Sequence, residues 1–475
     1  MGASSAQAEE SLPSNSRSAA TTGCAKKPRR ARRRRRKGPT MTQAVATYEQ
    51  YEADFRKLQE ARSSAPDWLK ELRDAAFGHF QTLGFPVARK GNELWKYTDV
   101  RPIAAETFPY DTGAANGVDA ARLFPFDEGM ARIAFVDGRF SPELSTPLPD
   151  GLVAMSLAQA LAERGEDVRR HLAQHAPYAD AGFTALNTAF LTDGAFVLAE
   201  GVVETPLHLV YVTTERVVTH PRTLIIGRPT SELSVVESYI SATGGAHFTN
   251  AVTEVALEAG AQVTHRRLVL ENHEAYHIAS TRVRQARDSV YRSLVYEAGG
   301  GLVRNDLTVL LDAEGAEAYL KGLYVTAGKQ HVDNNVDIDH AKPHGYSRLY
   351  YKGILDERSR AVFGGLVMVR PGADKSDAHQ EDKNLILSRE AEIDSKPALE
   401  VYADDVKAGH GATAGAIAEE AIFYMQSRGI DPERAMLFLV RGFVSEILDS
   451  VTIEPLREWL EERTTQALPR FRDVL

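Results

Sequence analysis

The sequence predicts a mainly β chain with helical parts at both ends, its central stretch of strands wound or stacked into a repetitive β architecture. Three observations lead there. Between Phe190 and about Thr413 the apolar residues alternate with period two or fall in short β-branched runs, as pleated strands require. No long amphipathic helix interrupts these roughly two hundred residues, and a sheet that long must curl, close or stack. Two segments also echo each other, Leu257-Glu258-Ala259-Gly260-Ala261 and Leu311-Asp312-Ala313-Glu314-Gly315-Ala316, 54 residues apart (311 − 257). That separation suits a few coils of a β-solenoid, while a sandwich or a barrel remains open as the alternative on pattern alone.

Composition narrows the function classes. The 475 residues are 43% hydrophobic and 25% charged, ordinary for a globular protein. No apolar run approaches the roughly 20 residues needed to span a bilayer, so no membrane association is expected. Residues 1–40 carry eleven Lys and Arg against Glu9 and Glu10, a net of +9; the whole chain is −9, which leaves −18 for the remainder. An acidic body argues against nucleic-acid binding. The one cysteine, Cys24, lies in the basic tail, so the body can have neither a disulfide framework nor a thiolate metal site of its own.

In chain order, residues 1–40 are rich in Ser, Ala, Thr and Arg with few apolar side chains, and are expected to be disordered. A targeting segment and an anionic-surface tail are alternatives to the plainer reading that translation begins at Met41. The tail has no apolar stretch of signal-peptide type, and a cytoplasmic location is expected. Residues 41–185 read as a helical or mixed part. Tyr48, Tyr51, Phe55 and Leu58 share one helical face; a second helix from about Ala65 carries Trp68, Leu72, Phe80 and Leu83 and stops at Gly84-Phe85-Pro86. An aromatic segment, Trp95-Lys96-Tyr97-Thr98, follows, and then a helix from about Ser156, its cap, to Leu172. Residues 186–413 form the strand region, with Leu207-x-Leu209-x-Tyr211, Leu224-Ile225-Ile226, Leu233-x-Val235, Val255-x-Leu257, Leu307-x-Val309, Val336-x-Ile338 and Leu399-x-Val401 as strand-length pieces. Residues 414–475 are helical again. Glu419 to Arg428 ends at Gly429; Asp431-Pro432-Glu433 restarts a helix with an N-cap Asp and Pro at the first position; a last helix runs from Glu454 to about Leu468. The helix from Pro432 has a broad apolar side including Met436, Val440 and Phe443, wide enough to face a partner or to be buried against the preceding helix.

Motifs for common chemistries are missing. There is no P-loop, so no ATP binding is expected; no nucleophile elbow and no His-Glu-x-x-His occur, and the body has no thiol nucleophile. What remains is His331, His340, His344, His379 and His410, interspersed with Asp333, Asp337, Asp339 and Asp377. Imidazole with carboxylate suits iron or zinc, although for any single histidine a structural hydrogen bond is the more ordinary role. His340 and His344 cannot share a helix face, because Pro343 and Gly345 interrupt them. His410 stands out: it lies between Gly409 and Gly411, where the strand regime gives way to helices, and a sharp bend is expected there.

At this point the residues resemble a family. Gln330-His331-x-Asp333-Asn334, Arg360-Ala361-Val362-Phe363-x-Gly365, Lys383-Asn384-Leu385, Ala391 to Pro397 and Tyr402 to Thr413 are similar to the SufD branch of the SufB/SufD family. The likeness continues through Ile422-Phe423-Tyr424 and Ser427-Arg428-Gly429-Ile430, and spans about residues 45–460. The resemblance implies a right-handed parallel β-helix core flanked by helical parts. It implies a non-enzymatic scaffold of the SUF iron–sulfur cluster assembly machinery, paired with SufB through the β-helix and gripped by the ATPase SufC at the C-terminal helices, with a homodimer possible in isolation. The ATPase contacts would be Phe423, Tyr424, Arg428, Met436 and Phe443. His410 falls on the family histidine associated with the nascent cluster, a transient metal ligand acting with a partner thiol. Many members have Cys where this chain has Ala408, so here the thiol must come from the partner. Two alternatives belong to other classes: a secreted-type β-helix enzyme acting on polysaccharide, which would want a signal peptide and a catalytic groove, and a chain that replaces SufB and assembles clusters alone, against which the missing cysteine argues.

Overall fold

The computed structural model describes residues 41–89, 91–110 and 118–471, so the basic tail and its expected disorder lie outside the described residues. Helices α1 (Met41–Ala61) and α2 (Asp67–Leu83) come first, and α2 ends at Gly84, whose φ of 63° needs a residue without Cβ. Short helices α3 (Arg101–Ala105) and α4 (Ala120–Leu123) lead to β1 (Ala131–Val136), β2 (Arg139–Ser141) and β3 (Leu152–Ser156). The single helix expected over 156–172 is two pieces, α5 (Leu157–Glu163) and α6 (Gly165–His171). Ser156 does cap the first, accepting from the Gln159 amide at 3.1 Å, but Arg164 leaves helical geometry (φ −132°, ψ 32°) ahead of Gly165. Helix α7 (Gly182–Ala189) completes this part.

From Gly194 onward strands alternate between two sheets. Their ranges are β4 (Gly194–Ala199), β5 (Leu207–Thr213), β6 (Val218–Thr219), β7 (Arg222–Gly227), β8 (Glu232–Ser241), β9 (Phe248–Leu257), β10 (Gln262–Leu270) and β11 (Tyr276–Gln285). They continue as β12 (Val290–Glu297), β13 (Leu302–Leu311), β14 (Glu317–Thr326), β15 (His331–His340), β16 (Tyr346–Leu355) and β17 (Arg360–Val369). The last are β18 (Asp377–Ile386), β19 (Glu392–Val401) and β20 (Lys407–Gly415). Sheet A runs β2-β1-β5-β8-β10-β12-β14-β16-β18-β20, and sheet B runs β19-β17-β15-β13-β11-β9-β7-β4-β3. Neighbours within each sheet are parallel and in register, except the antiparallel pairs β1/β2 and β3/β4 at the N-terminal end. This is a two-sheeted β-solenoid, which removes the sandwich and barrel alternatives.

Leu257, Gln285, Leu311, His340, Val369 and Val401 occupy one column of sheet B, so successive coils advance by 28, 26, 29, 29 and 32 residues. The echo at 257 and 311 is therefore two coils apart, the same corner met twice. Parallel strands stacked this way bury both faces, which is why β4, β5, β7 and β9 are buried along their whole length.

The interior between the sheets is filled by the inward rows, such as Val255, Val283, Val309, Ile338 and Val367. Tyr324 and Tyr351 lie there over glycines of the neighbouring strand, with Tyr351 in register with Gly322 and Tyr324 with Gly353, so neither glycine has room for a Cβ. Charged groups are buried too, and each is surrounded by donors. Glu237 accepts from Tyr239 (2.7 Å), Thr223 (2.8 Å), Thr253 (3.0 Å) and His265 (2.7 Å), and this company holds its carboxyl well below the usual range despite burial. Glu297 is the exception: Asn334 donates to one oxygen at 2.6 Å, the other has no partner, and burial pushes its pKa up to about 7.

Helices cover the outer faces. Helices α9 (Pro432–Leu448) and α10 (Glu454–Gln466) lay Leu437, Val440, Val444, Ile447, Leu456 and Leu460 against the outer row of sheet A, including Leu268, Leu294, Leu323 and Ile354. Helices α1, α2 and α7 cover one part of sheet B through Phe55, Phe77, Phe80 and Phe190. Beside them the fully buried Arg222–Glu254 ion pair (2.5 Å) holds the chain after α6: the Glu254 carboxylate accepts from the amides of Ala173, His175 and Ala176, while Arg222 donates to Asn187 of α7. Among the described residues no helix is long and apolar enough to cross a membrane.

Candidate functional site

The two sheets end together. Among the described residues strand β20 pairs with β18 and with nothing on its other side, and β19 likewise ends sheet B beside β17. Both are half-buried or exposed along their length, unlike the buried strands behind them. The solenoid is thus open at its C-terminal end, offering two unpaired strand edges and the inner surfaces of its last coil.

His410 lies in the middle of β20, in register with Gln380 of β18. The expected bend is absent: Gly409 and Gly411 have ordinary extended geometry and pair with His379 and Glu381. The Gly409 backbone lies close to the His379 ring, and a Cβ there would stand 3.3 Å from the His379 Cδ2 on the outer face. Gln380 points the other way: it is 3% exposed and its Nε2 donates to the Ala398 carbonyl of β19 at 2.7 Å. In-register parallel strands place paired side chains on the same side, so His410 faces inward, over the interior at its open end. Its companions in that row are Ala408, Ala412 and Ala414, paired with Ala378, Asp382 and Asn384.

The floor one coil below is polar. Asp382 is buried, accepts from Ser395 of β19 (2.6 Å) and from Asn384 (2.7 Å), and burial pushes its pKa up to about 6. Tyr324 donates to Asn384 at 2.5 Å. Above this floor the imidazole is exposed and the flanking alanines leave space around it. Such a site offers one nitrogen ligand and little steric obstruction; any further ligands must arrive with whatever covers the edge. Among the described residues no three His, Cys, Asp or Glu side chains come together as a metal-ligand set.

The other histidines have local structural work. His331 Nε2 meets Thr98 Oγ1 at 2.9 Å, and Thr98 and Arg304 both donate to Asp333, while the Arg304 guanidinium lies 4.0 Å over the Trp95 ring. The aromatic segment Trp95 to Thr98 is therefore bolted onto the outer face of sheet B. His340, at the end of β15, bonds Ser347 Oγ at 2.8 Å, and burial pushes it down to about 4. His344 occupies a turn with φ 60°, and His379 bonds Asp377 at 3.1 Å on the outer face. The structure does not bring these four to His410.

After β20 comes α8 (Glu419–Gln426), which buries none of its residues. Phe423 and Tyr424 are 70% and 59% exposed, and Arg428, just past the helix, lies 3.5 Å over the Tyr424 ring. Phe438 on α9 is 50% exposed, and sequence reasoning did not single it out. Met436 and Phe443 turn instead toward the body. Arg470 donates to the Met436 sulfur at 3.3 Å; Lys352 of β16, only 3% exposed at its side chain, donates to the Phe443 carbonyl and to Glu446, and sits 4.4 Å over the Phe443 ring. Gln380, Asp382 and Ser395 were also missed, because Asp377 to Ile386 is polar at nearly every position and hides its inward row.

Comparison with known proteins agrees with this architecture. Residues 45–209 match the SufBD protein N-terminal region, and residues 210–443 match the SufBD core domain of the SUF system for FeS cluster assembly. The chain is 32% identical over 417 residues to an iron–sulfur cluster assembly SufBD family protein of Synechocystis, covering 84% of this chain and 89% of that one. It is 29% identical over 399 residues to the iron–sulfur cluster assembly protein SufD of Escherichia coli (82% and 92% covered), and 32% identical over 423 residues to the chloroplastic protein ABCI7 of Arabidopsis thaliana (84% and 87%). With both regions present in order and relatives matched over most of their length, the chain belongs to the SufBD family of iron–sulfur cluster assembly proteins.

Proposed function

We propose that this chain is a non-catalytic scaffold subunit that pairs with SufB through the open end of its solenoid and docks the SufC ATPase through its C-terminal helices. The observation that carries the reading is the pair of unpaired edges, β19 and β20, with His410 on the inner row between them. Strand edges recruit a like partner by continuing the ladder, and a second solenoid laid there would cover the imidazole. The nascent iron–sulfur cluster is then cargo held between chains: His410 supplies a nitrogen, and thiolates come from SufB, since Ala408 and the rest of the body have none. The residues suited to grip an ATPase are Phe423, Tyr424 and Arg428, with Phe438 beside them; Met436 and Phe443 act from below by seating α9 on the Lys352 anchor. Pulling on α8 would load α9 and, through Lys352, strand β16, which β18 separates from β20.

The test is His410→Ala in the complex co-expressed with SufB and SufC. His410 is exposed and makes no contact that holds the fold, so the complex should assemble with unchanged mass while cluster formation, followed by its visible absorption, falls at least about tenfold. Undiminished cluster formation removes His410 from the site. Deletion from Glu419 onward should abolish SufC capture and spare SufB pairing; retained SufC binding refutes the docking assignment.

A further inference from the structure

On the outer face of sheet B, the chain from α6 to Pro177 overhangs β11, β13 and β15 and leaves a half-open cleft of about 790 Å³. Its walls carry Arg170, Arg282, Arg284, Arg370, His171 and His175 against one carboxylate, Asp339. In a chain of net charge −9 this gathers four guanidinium groups at one place, with Glu166, Asp312 and Asp339 as ion partners of three of them. The overhang is held in place, because the amides of Ala173, His175 and Ala176 are tied to the buried Glu254 carboxylate.

The cations are arranged in three ways. Arg284 and Arg370 have their forks oriented at the rim by Asp312 (2.7 Å) and Asp339 (2.5 Å). Arg170 approaches Glu166 only loosely, at 3.4 Å. Arg282, on the same outward row of β11 as Arg284, donates to the Thr281 and Asp306 carbonyls at 3.1 Å each; among the described residues no carboxylate lies within ion-pair distance of it, the nearest influences being Asp306 and Asp337. Beside them His171 Nδ1 and His175 Nε2 are 3.4 Å apart, and the His171 Nε2 is buried with no partner. Burial lowers both histidines toward the neutral imidazole; when the His175 Nε2–H donates to His171 Nδ1, the proton of His171 sits on its Nε2 and is the one N–H left to give. Leu310 and Pro177 add apolar surface to the wall.

We propose that this cleft binds a small polyanion bearing phosphate groups, held by the arginine forks with the free imidazole nitrogen of His171 as a further contact. Arg284 and Arg370 each hold a carboxylate through Nε and Nη2 and still carry Nη1 donors, and four guanidinium groups lining one cleft match the many acceptor oxygens of a compact phosphate group better than a single carboxylate. A bare metal ion is disfavoured, since four guanidinium groups would repel it from the two imidazoles. A nucleic-acid strand is disfavoured by the overhang and by the acidic body.

The test is calorimetric titration of the full chain with inorganic pyrophosphate and, in a parallel arm, with ADP. Saturable one-site binding that weakens with added salt is expected for at least one of them. Tighter ADP binding would identify a nucleotide as the source of the phosphate, and tighter pyrophosphate binding a free polyphosphate; both uphold the site. Arg284→Gln with Arg370→Gln should weaken binding at least about tenfold while leaving circular dichroism unchanged, because both side chains are more than half exposed. His171→Gln should weaken it less, and Arg216→Gln, which removes a surface partner of Glu106 elsewhere, should leave it unchanged. No saturable binding of either probe below about 1 mM, or equal affinity in the double variant, overturns the proposal.

Discussion

Glu297→Gln should stabilise this protein at alkaline pH, and the size of the effect follows from the Glu297 environment. The carboxyl is fully buried in the solenoid with one oxygen bonded to Asn334 and one with no partner, and burial raises its pKa from 4.5 to about 7. A carboxyl raised in the folded state binds its proton more tightly there than in the unfolded chain. Its contribution is therefore whole below the unfolded value and lost as pH rises through the folded one. A rise from 4.5 to about 7 corresponds to about 3 kcal/mol of penalty by pH 8, of which about 1 kcal/mol is already present at pH 5. Glutamine keeps the acceptor for Asn334 and never ionises. The urea midpoint of the variant should exceed that of the parent at pH 8 and match or fall slightly below it at pH 5, where the new amide N–H must find an acceptor. His220 and His340, pushed down by burial to about 3 and about 4, make the parent less stable as pH falls below about 6.5, the opposite slope. Variant and parent must accordingly be compared at each pH. An equal loss at both pH values would refute the reasoning and show that the carboxylate is solvated or paired.

Two further outcomes test the packing. Arg222→Met leaves Glu254 buried without its cation and should cost about 3–5 kcal/mol, with faster amide exchange at Ala173 and His175 as the direct sign that the overhang has come loose; unchanged exchange would contradict the anchoring role. Gly353→Ala puts a methyl group into the Tyr324 ring and the Asn384 oxygen and should cost about 1–3 kcal/mol in urea unfolding; a neutral result would mean that the interior has slack there.

How much of this was legible beforehand depends on whether a residue's role is local. Helix caps are local, and Asp431 and Pro432 announced α9 correctly: the Asp431 side chain accepts from the Arg434 amide at 2.9 Å. The period of two was visible where one face is buried and the other half-exposed, as along β13 and β15, and the echo of Leu257 and Leu311 was a true multiple of the coil. The break at Arg164 was missed because apolar spacing ran across it. The glycines around His410 were read as a sharp bend, since sequence cannot show that the Gly409 backbone lies against the His379 ring of the next strand. For the same reason the polar floor of Gln380, Asp382 and Ser395 could not be read off: which way a strand residue points is settled by register, and register is a property of two strands.

The closed and open ends of the solenoid give the molecule a valence. At the N-terminal end both sheets finish in short antiparallel strands, β2 and β3, which do not continue the parallel stacking. At the other end both sheets stop in mid-pattern, and Pro397, Lys396 and the glycines of β20 sit on that rim, residues that discourage indiscriminate strand addition. A solenoid whose parallel ladder stopped in mid-pattern at both ends could polymerise into a fibre; one in which β2 and β3 turn antiparallel at one end has a single end that matches its own stacking, and end-to-end joining through that end terminates after one partner. On the pairing proposed above, the count of chains along the solenoid axis would be fixed by chain termination, the way a monofunctional monomer caps a growing polymer, with no separate device needed to stop assembly at two.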